Sequence, residues 1–140
     1  MSVQFFYQDV SFTFRNRNRL KQFLPSIFKA NKQKLESLTY IFCTDGYLLE
    51  VNRQFLQHDY YTDIITFNLA NTGQPVTGEI YISIDRVADN ARQHNASFQS
   101  ELHRVIFHGA LHLCGYKDKT TAEGKKMRAA EDEWLMRYFT

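Results

Sequence analysis

His108-Gly109-Ala110-Leu111-His112-Leu113-Cys114-Gly115-Tyr116-Lys117-Asp118 completes an apolar run that begins at Val105 and reads as a buried helix. Its two histidines stand four apart, so on a helix they share one face and point at one spot. Gly115 takes a left-handed backbone without penalty, which lets the helix end and the chain turn back. Asp118, three residues on, can then reach the same spot. Two imidazole nitrogens and one carboxylate oxygen, with no obvious fourth ligand, form the donor set of an open, catalytic zinc-type site rather than a closed structural one.

The rest of the chain reads outward from that helix. Val3 to Tyr7 is β-branched and aromatic, a first strand. Residues 8–15 are ambiguous, because Val10, Phe12 and Phe14 alternate and could extend it. From Asn16 the period becomes helical, with Leu20, Phe23, Leu24, Ile27 and Phe28 on one face and basic residues on the others. Pro25 inside that pattern predicts a kink or a split. Residues 38–43 form a second strand, and Thr44 and Asp45 cap a helix that ends near Leu56. Residues 63–67 form a third strand, apolar enough to read as central in a sheet. Turn chemistry over 71–78 joins it to a fourth strand, 79–84, antiparallel to it. Asp85 opens a helix to about Asn95, Ser97 caps the histidine helix, and Thr120 with Glu123 resembles a capping box ahead of a last helix.

The order β-α-β-α-β-β-α-α-α predicts an α+β fold, residues 1–140 as a single domain. The first two strands are parallel through a helical crossover. The four strands make one mixed sheet with helices packed on it.

Bulk properties agree. The 140 residues suffice for one hydrophobic core, and 44% hydrophobic with 15% aromatic residues excludes disorder. No apolar run approaches the ~20 residues of a membrane span. Signal-peptide character is missing at the N-terminus, and two cysteines cannot make a disulfide framework, so a reducing cytoplasm is the expected location. A net charge of +2 neither demands nor excludes a nucleic-acid partner.

A lone His-x3-His pair is common. With glycine at +7 and a metal-capable side chain at +10, the chance falls to roughly one in a thousand chains. The alternative is a pair of histidines bonded to backbone carbonyls. The spacing is that of metzincin proteases, which place glutamate after the first histidine as the general base. Here Gly109 stands at that position and cannot take a proton.

The run His-Gly-Ala-Leu-His-Leu-Cys-Gly-Tyr resembles the signature of the YbeY family, bacterial metal-dependent endoribonucleases of ribosomal RNA maturation. Val51–Phe67, with Asn52 and Thr62-Asp63-Ile64-Ile65-Thr66-Phe67, is similar to the family's central segment. Gly78-Glu79-Ile80 is similar to its Gly-Asp-Ile strand, and Met127, Arg128, Glu131 and Glu133 to its final helix. The resemblance implies single-strand-specific RNA cleavage, processing of the 3′ end of small-subunit ribosomal RNA, and ribosome quality control. Its implied partners are ribosomal RNA and the small ribosomal subunit, with neither DNA nor membrane.

It also implies Zn²⁺ or another divalent ion, one per chain, on His108, His112 and Asp118. Most members carry histidine at the third ligand, and aspartate is a competent substitute. The family's arginine after the central aromatic is Leu56 here, which cannot hold a phosphate by charge. Arg53, one turn earlier, and His58, ahead of the third strand, are candidate helpers. Asp63 is read as bonding backbone amides at the strand's start. Lys117, Lys119, Lys125, Lys126 and Arg128 follow the ligand loop and could attract RNA backbone. Two readings compete with the nuclease: a metal-dependent peptidase, which Gly109 disfavours, and a ribosome-assembly RNA-binding protein with weak or no catalysis, which Leu56 favours.

Overall fold

A computed structural model describes residues 2–12 and 14–140. Its elements are β1 (Ser2–Tyr7), α1 (Arg17–Ala30), β2 (Leu35–Cys43), α2 (Asp45–Leu56), β3 (Ile64–Asn68), β4 (Val76–Ser83), α3 (Ile84–Gln93), α4 (Phe98–Leu113) and α5 (Thr121–Phe139). This is the α+β order expected. One four-stranded sheet runs β1-β2-β4-β3, with β1, β2 and β4 parallel and β3 antiparallel to β4.

Helices cover both faces. On one, Leu38, Tyr40 and Phe42 of β2 and Ile80 and Ile82 of β4 join a core with α1, α4 and α5. On the other, Leu48 and Val51 of α2 pack on Cys43 and Ile65. Residues 8–12 and 14–15 do not extend β1; Phe12 and Phe14 instead fold their rings onto Phe42, 5.1 and 5.3 Å between centroids.

Two sequence expectations need correction, and a third, the kink or split at Pro25, narrows. The third strand is not central: β3 lies at the sheet edge. Its apolar character comes from cover on both faces, Ile64 against α4 and Ile65 against α2. Pro25 does not split α1, which runs as one helix from Arg17 to Ala30. Proline costs ~3 kcal/mol inside a helix, whereas each fully buried Leu, Ile or Phe contributes roughly 1.5–3 kcal/mol. Leu20, Leu24, Ile27 and Phe28 are all fully buried, so packing holds the helix together. The third helix starts at Ile84, with the Ser83 hydroxyl accepting from the Arg86 N–H, rather than at Asp85.

Two glycines set the height of α4 over the sheet. A Cβ at Gly78 would stand 2.5 Å from Leu113 Cδ1. One at Gly109 would stand 3.0 Å from both Ile64 Cδ1 and Ile80 Cδ1. The Tyr40 hydroxyl donates to the Ile106 carbonyl at 2.8 Å and ties α4 to β2. Thr120 and Glu123 form the expected capping box, and α5 then packs along α4. Cys43 and Cys114 are free, and burial pushes each thiol up to about 12.

Candidate metal centre

The chain turn after α4 follows from Gly115, whose φ is +103°. The Gly115 N–H donates to the His112 carbonyl and the Tyr116 N–H to the Leu111 carbonyl, both at 3.0 Å. This paired pattern satisfies the helix's last carbonyls and needs a residue tolerant of positive φ. The turn carries Asp118 back over α4. Its Oδ2 lies 3.3 Å from Nε2 of His108 and 3.3 Å from Nε2 of His112. All three donor atoms fall within 4.8 Å of one another. Ligands about 2.0–2.1 Å from a tetrahedral zinc stand about 3.3 Å apart, so the spacing suits such an ion.

The hydrogen-bond partners fix which nitrogen faces the centre. His112 donates its Nδ1–H to the Tyr116 carbonyl at 3.0 Å. His108 donates its Nδ1–H to Oε2 of Glu131 at 2.6 Å. A carbonyl or carboxylate only accepts, so in the neutral ring each Nε2 holds a lone pair toward Asp118. Three acceptors converging without a donor are unfavourable unless a cation joins them. Negative charge around His108 favours a cation at this spot, either a proton on Nε2 or a bound ion. Burial alone would lower its pKa, but Glu131, with Asp118 and Asp63 beyond, holds it above the ordinary histidine value.

Glu131 is the residue whose role sequence reading missed. It is 4% exposed, and its second oxygen accepts from Arg104 Nη1 at 2.9 Å. A signal was there: Met127, Ala130, Glu131 and Trp134 form one helical stripe, all buried, and a carboxylate in such a stripe needs a partner.

A cleft of about 620 Å³ opens at the centre, lined by His108, His112, Asp118 and Lys119 together with Leu56, His58, Tyr60, Asp63 and the β3 edge. The candidate helpers separate here. His58 lines the cleft. Arg53 stands outside the cleft lining, its guanidinium held by Asp59 at 2.5 Å and Glu50 at 2.6 Å. Asp63 lines the cleft and, among the described residues, its side chain accepts from the Asn90 side chain at 3.3 Å rather than from backbone amides. Leu56 lines it too, so the apolar substitution faces the site.

With this geometry in place, likeness to known proteins becomes informative. The model of the family described as Endoribonuclease YbeY matches residues 4–139. The chain belongs to the YbeY family. An Endoribonuclease YbeY of Cytophaga hutchinsonii is 50% identical over 134 residues, covering 96% of this chain and 94% of that one. Its namesake in Bacteroides thetaiotaomicron is 42% identical over 135 residues, covering 96% and 98%. The solution structure of TM1509 from Thermotoga maritima superposes with a TM-score of 0.67 at 27% identity, over 98% of this chain and 89% of that one. The close packing under Gly109 leaves little room for a glutamate at that position: a Cβ there would meet Ile64 and Ile80 at 3.0 Å.

Proposed function

We propose that this chain is a metal-dependent, single-strand-specific endoribonuclease of ribosomal RNA maturation. It acts in the cytoplasm at the 3′ end of small-subunit ribosomal RNA and in ribosome quality control. His108, His112 and Asp118 hold one Zn²⁺ or similar divalent ion. One observation carries this reading: both histidines commit Nδ1 to an acceptor and turn Nε2 to a shared carboxylate oxygen. Family membership supports the RNA substrate. Among the described residues, no helix is long and apolar enough to cross a membrane.

When bound, such an ion supplies Lewis-acid polarisation of a phosphoryl oxygen or of the attacking group. The chain's own residues do the rest. Glu131 orients His108, and the Tyr116 carbonyl orients His112. Lys119 directly follows the third ligand and lines the same cleft as Leu56. Its ammonium offers the charge that Leu56 lacks, holding the RNA phosphate as a point charge. Arg53 is neutralised outside the cleft and takes no part.

Metal analysis of the purified, metal-loaded protein, beside cleavage of a single-stranded ribosomal RNA fragment, tests the proposal. One equivalent of metal is expected in the wild type, with loss of both metal and cleavage in His112→Ala and Asp118→Ala. Absence of stoichiometric metal in the wild type, or undiminished cleavage by His112→Ala, would overturn it. Product ends tell the nucleophile: a cyclic phosphate arises from the ribose 2′-hydroxyl and not from water.

A further inference from the structure

The segment between α2 and β3 is pinned to the body of the protein. Gln57 adopts a left-handed φ of 55°. The His58 N–H returns to the Asn52 carbonyl at 3.1 Å. Asn52 is 1% exposed and donates its side-chain amide to the Tyr60 carbonyl at 2.9 Å. From this fixed backbone two rings project as a unit. His58 and Tyr60 lie 5.1 Å apart between centroids at an interplanar angle of 21°. The Tyr60 hydroxyl and His58 Nδ1 are 2.9 Å apart.

Such a pair in a core would be buried, yet Tyr60 is 56% exposed. Both rings line the cleft that holds His108, His112 and Asp118. Leu56, 40% exposed, lies in the same lining and adds apolar surface without charge. Flat π-surface, ordered in advance and open to solvent, loses little entropy when it binds another flat group. The cleft is also of a size that takes a small-molecule-sized group, within the roughly 300–1,000 Å³ of ligand sites.

The geometry points to a nucleobase subsite: His58 and Tyr60, with Leu56 beside them, stack one unpaired base of a single-stranded RNA while the adjoining phosphate meets Lys119 and the His108–His112–Asp118 centre. This rests on the endoribonuclease reading and names how that site recognises its substrate. A paired base is already covered by its helical neighbours and cannot offer its face, so the subsite selects single strands. Stacking tolerates any base, because every base has a π-face. Apolar Leu56 is then suited to the site: where a cation would hold phosphate, this chain holds the base.

The test is binding of a single-stranded RNA oligonucleotide carrying 2-aminopurine at successive positions, read by stopped-flow fluorescence on the metal-loaded full chain before turnover. At one position the wild type should quench the probe. Tyr60→Ala should weaken binding about tenfold, in the range measured for base–aromatic stacking. Tyr60→Phe, which keeps the ring and drops the hydroxyl, should retain most of the affinity. The Tyr60 backbone carbonyl, not its ring, anchors the segment, so the alanine variant should fold, which a thermal melt checks. The same RNA made abasic at that position should bind the wild type as weakly as it binds Tyr60→Ala.

Equal binding by wild type and Tyr60→Ala, or the same loss on intact and abasic RNA, would overturn the subsite. So would an absence of RNA binding by the wild type. Cleavage that persists without Tyr60 dependence leaves the nuclease standing and the subsite refuted. Tyr60-dependent stacking without cleavage does the reverse.

Discussion

His108 and Glu131 meet at 2.6 Å across the α4–α5 interface, and the far oxygen of the same carboxylate is occupied by Arg104 at 2.9 Å. A buried carboxylate thereby fixes the imidazole's tautomer and ring angle, and raises the basicity of the Nε2 that faces Asp118. Replacing such an orienting partner typically lowers metal affinity by about 10- to 100-fold. Glu131→Gln should therefore bind Zn²⁺ at least about tenfold more weakly in a chelator competition titration, with His108, His112 and Asp118 intact. An unchanged affinity would mean that Glu131 serves only the ion pair with Arg104.

Gly109 carries a second prediction. Its Cβ would meet the ends of Ile64 and Ile80 at 3.0 Å, and Ile80 is fully buried. Overpacking costs about 1–3 kcal/mol, against ~1 kcal/mol gained when alanine replaces glycine in a helix. Gly109→Ala should lose about 1 kcal/mol in urea unfolding. Gly109→Glu places a carboxylate against the sheet and should lose more than about 3 kcal/mol. It should gain no activity on casein, since the new side chain can be placed only by displacing Ile64 and Ile80.

What sequence could show depended on the range of the interaction. Thr44, Ser97 and Thr120 each accept from a backbone N–H three residues on, so helix starts were legible from neighbouring residues. The same is true of Gly115, whose turn brings Asp118 toward two histidines on the preceding helix. Sheet order is not local. Ile64 and Ile65 are apolar because helices cover both faces of β3, and apolarity alone cannot distinguish that edge from a central strand. Glu131 reaches His108 only because α5 docks on α4, a packing event that no spacing near His108 encodes. Of the two partners of Arg53, Glu50 stands one turn away on α2 and was legible from spacing, whereas Asp59 is brought to it by the loop's path.

Pro25 gives a third prediction, on stability alone. It stands inside α1, where it removes one backbone hydrogen bond that the Lys21 carbonyl would otherwise accept. The helix persists because its buried face is held by the core. Pro25→Ala restores the donor and relieves the ring clash, so it should stabilise the protein by about 1 kcal/mol or more, less than the ~3 kcal/mol of a free helix interior. Urea unfolding reads this as a higher midpoint at unchanged slope. A lower midpoint would show that the ring's packing outweighs the lost bond.

His103 gives the last, a pH dependence away from the candidate metal centre. Its Nδ1–H donates to the Gln99 carbonyl at 2.6 Å, and its ring stacks on Tyr138 at 5.2 Å. Its Nε2 is buried and lacks a hydrogen-bond partner among the described residues. Protonation would bury a second N–H and a charge there, and burial accordingly pushes the His103 pKa below the ordinary histidine value. The unfolded chain takes up this proton near pH 6.5, while the native chain resists until lower pH. The native state therefore binds fewer protons in that interval, and the contribution of neutral His103 is complete above about pH 6.5 and is lost as the pH falls below it. The loss is at most about 1.4 kcal/mol per pH unit for one proton. His103→Phe keeps a flat ring among Phe14, Phe107 and Tyr138 and cannot titrate. Its unfolding free energy, measured beside the wild type from pH 7 down to 5, should fall less steeply by that amount. Parallel curves for the two proteins would place the acid sensitivity on other groups.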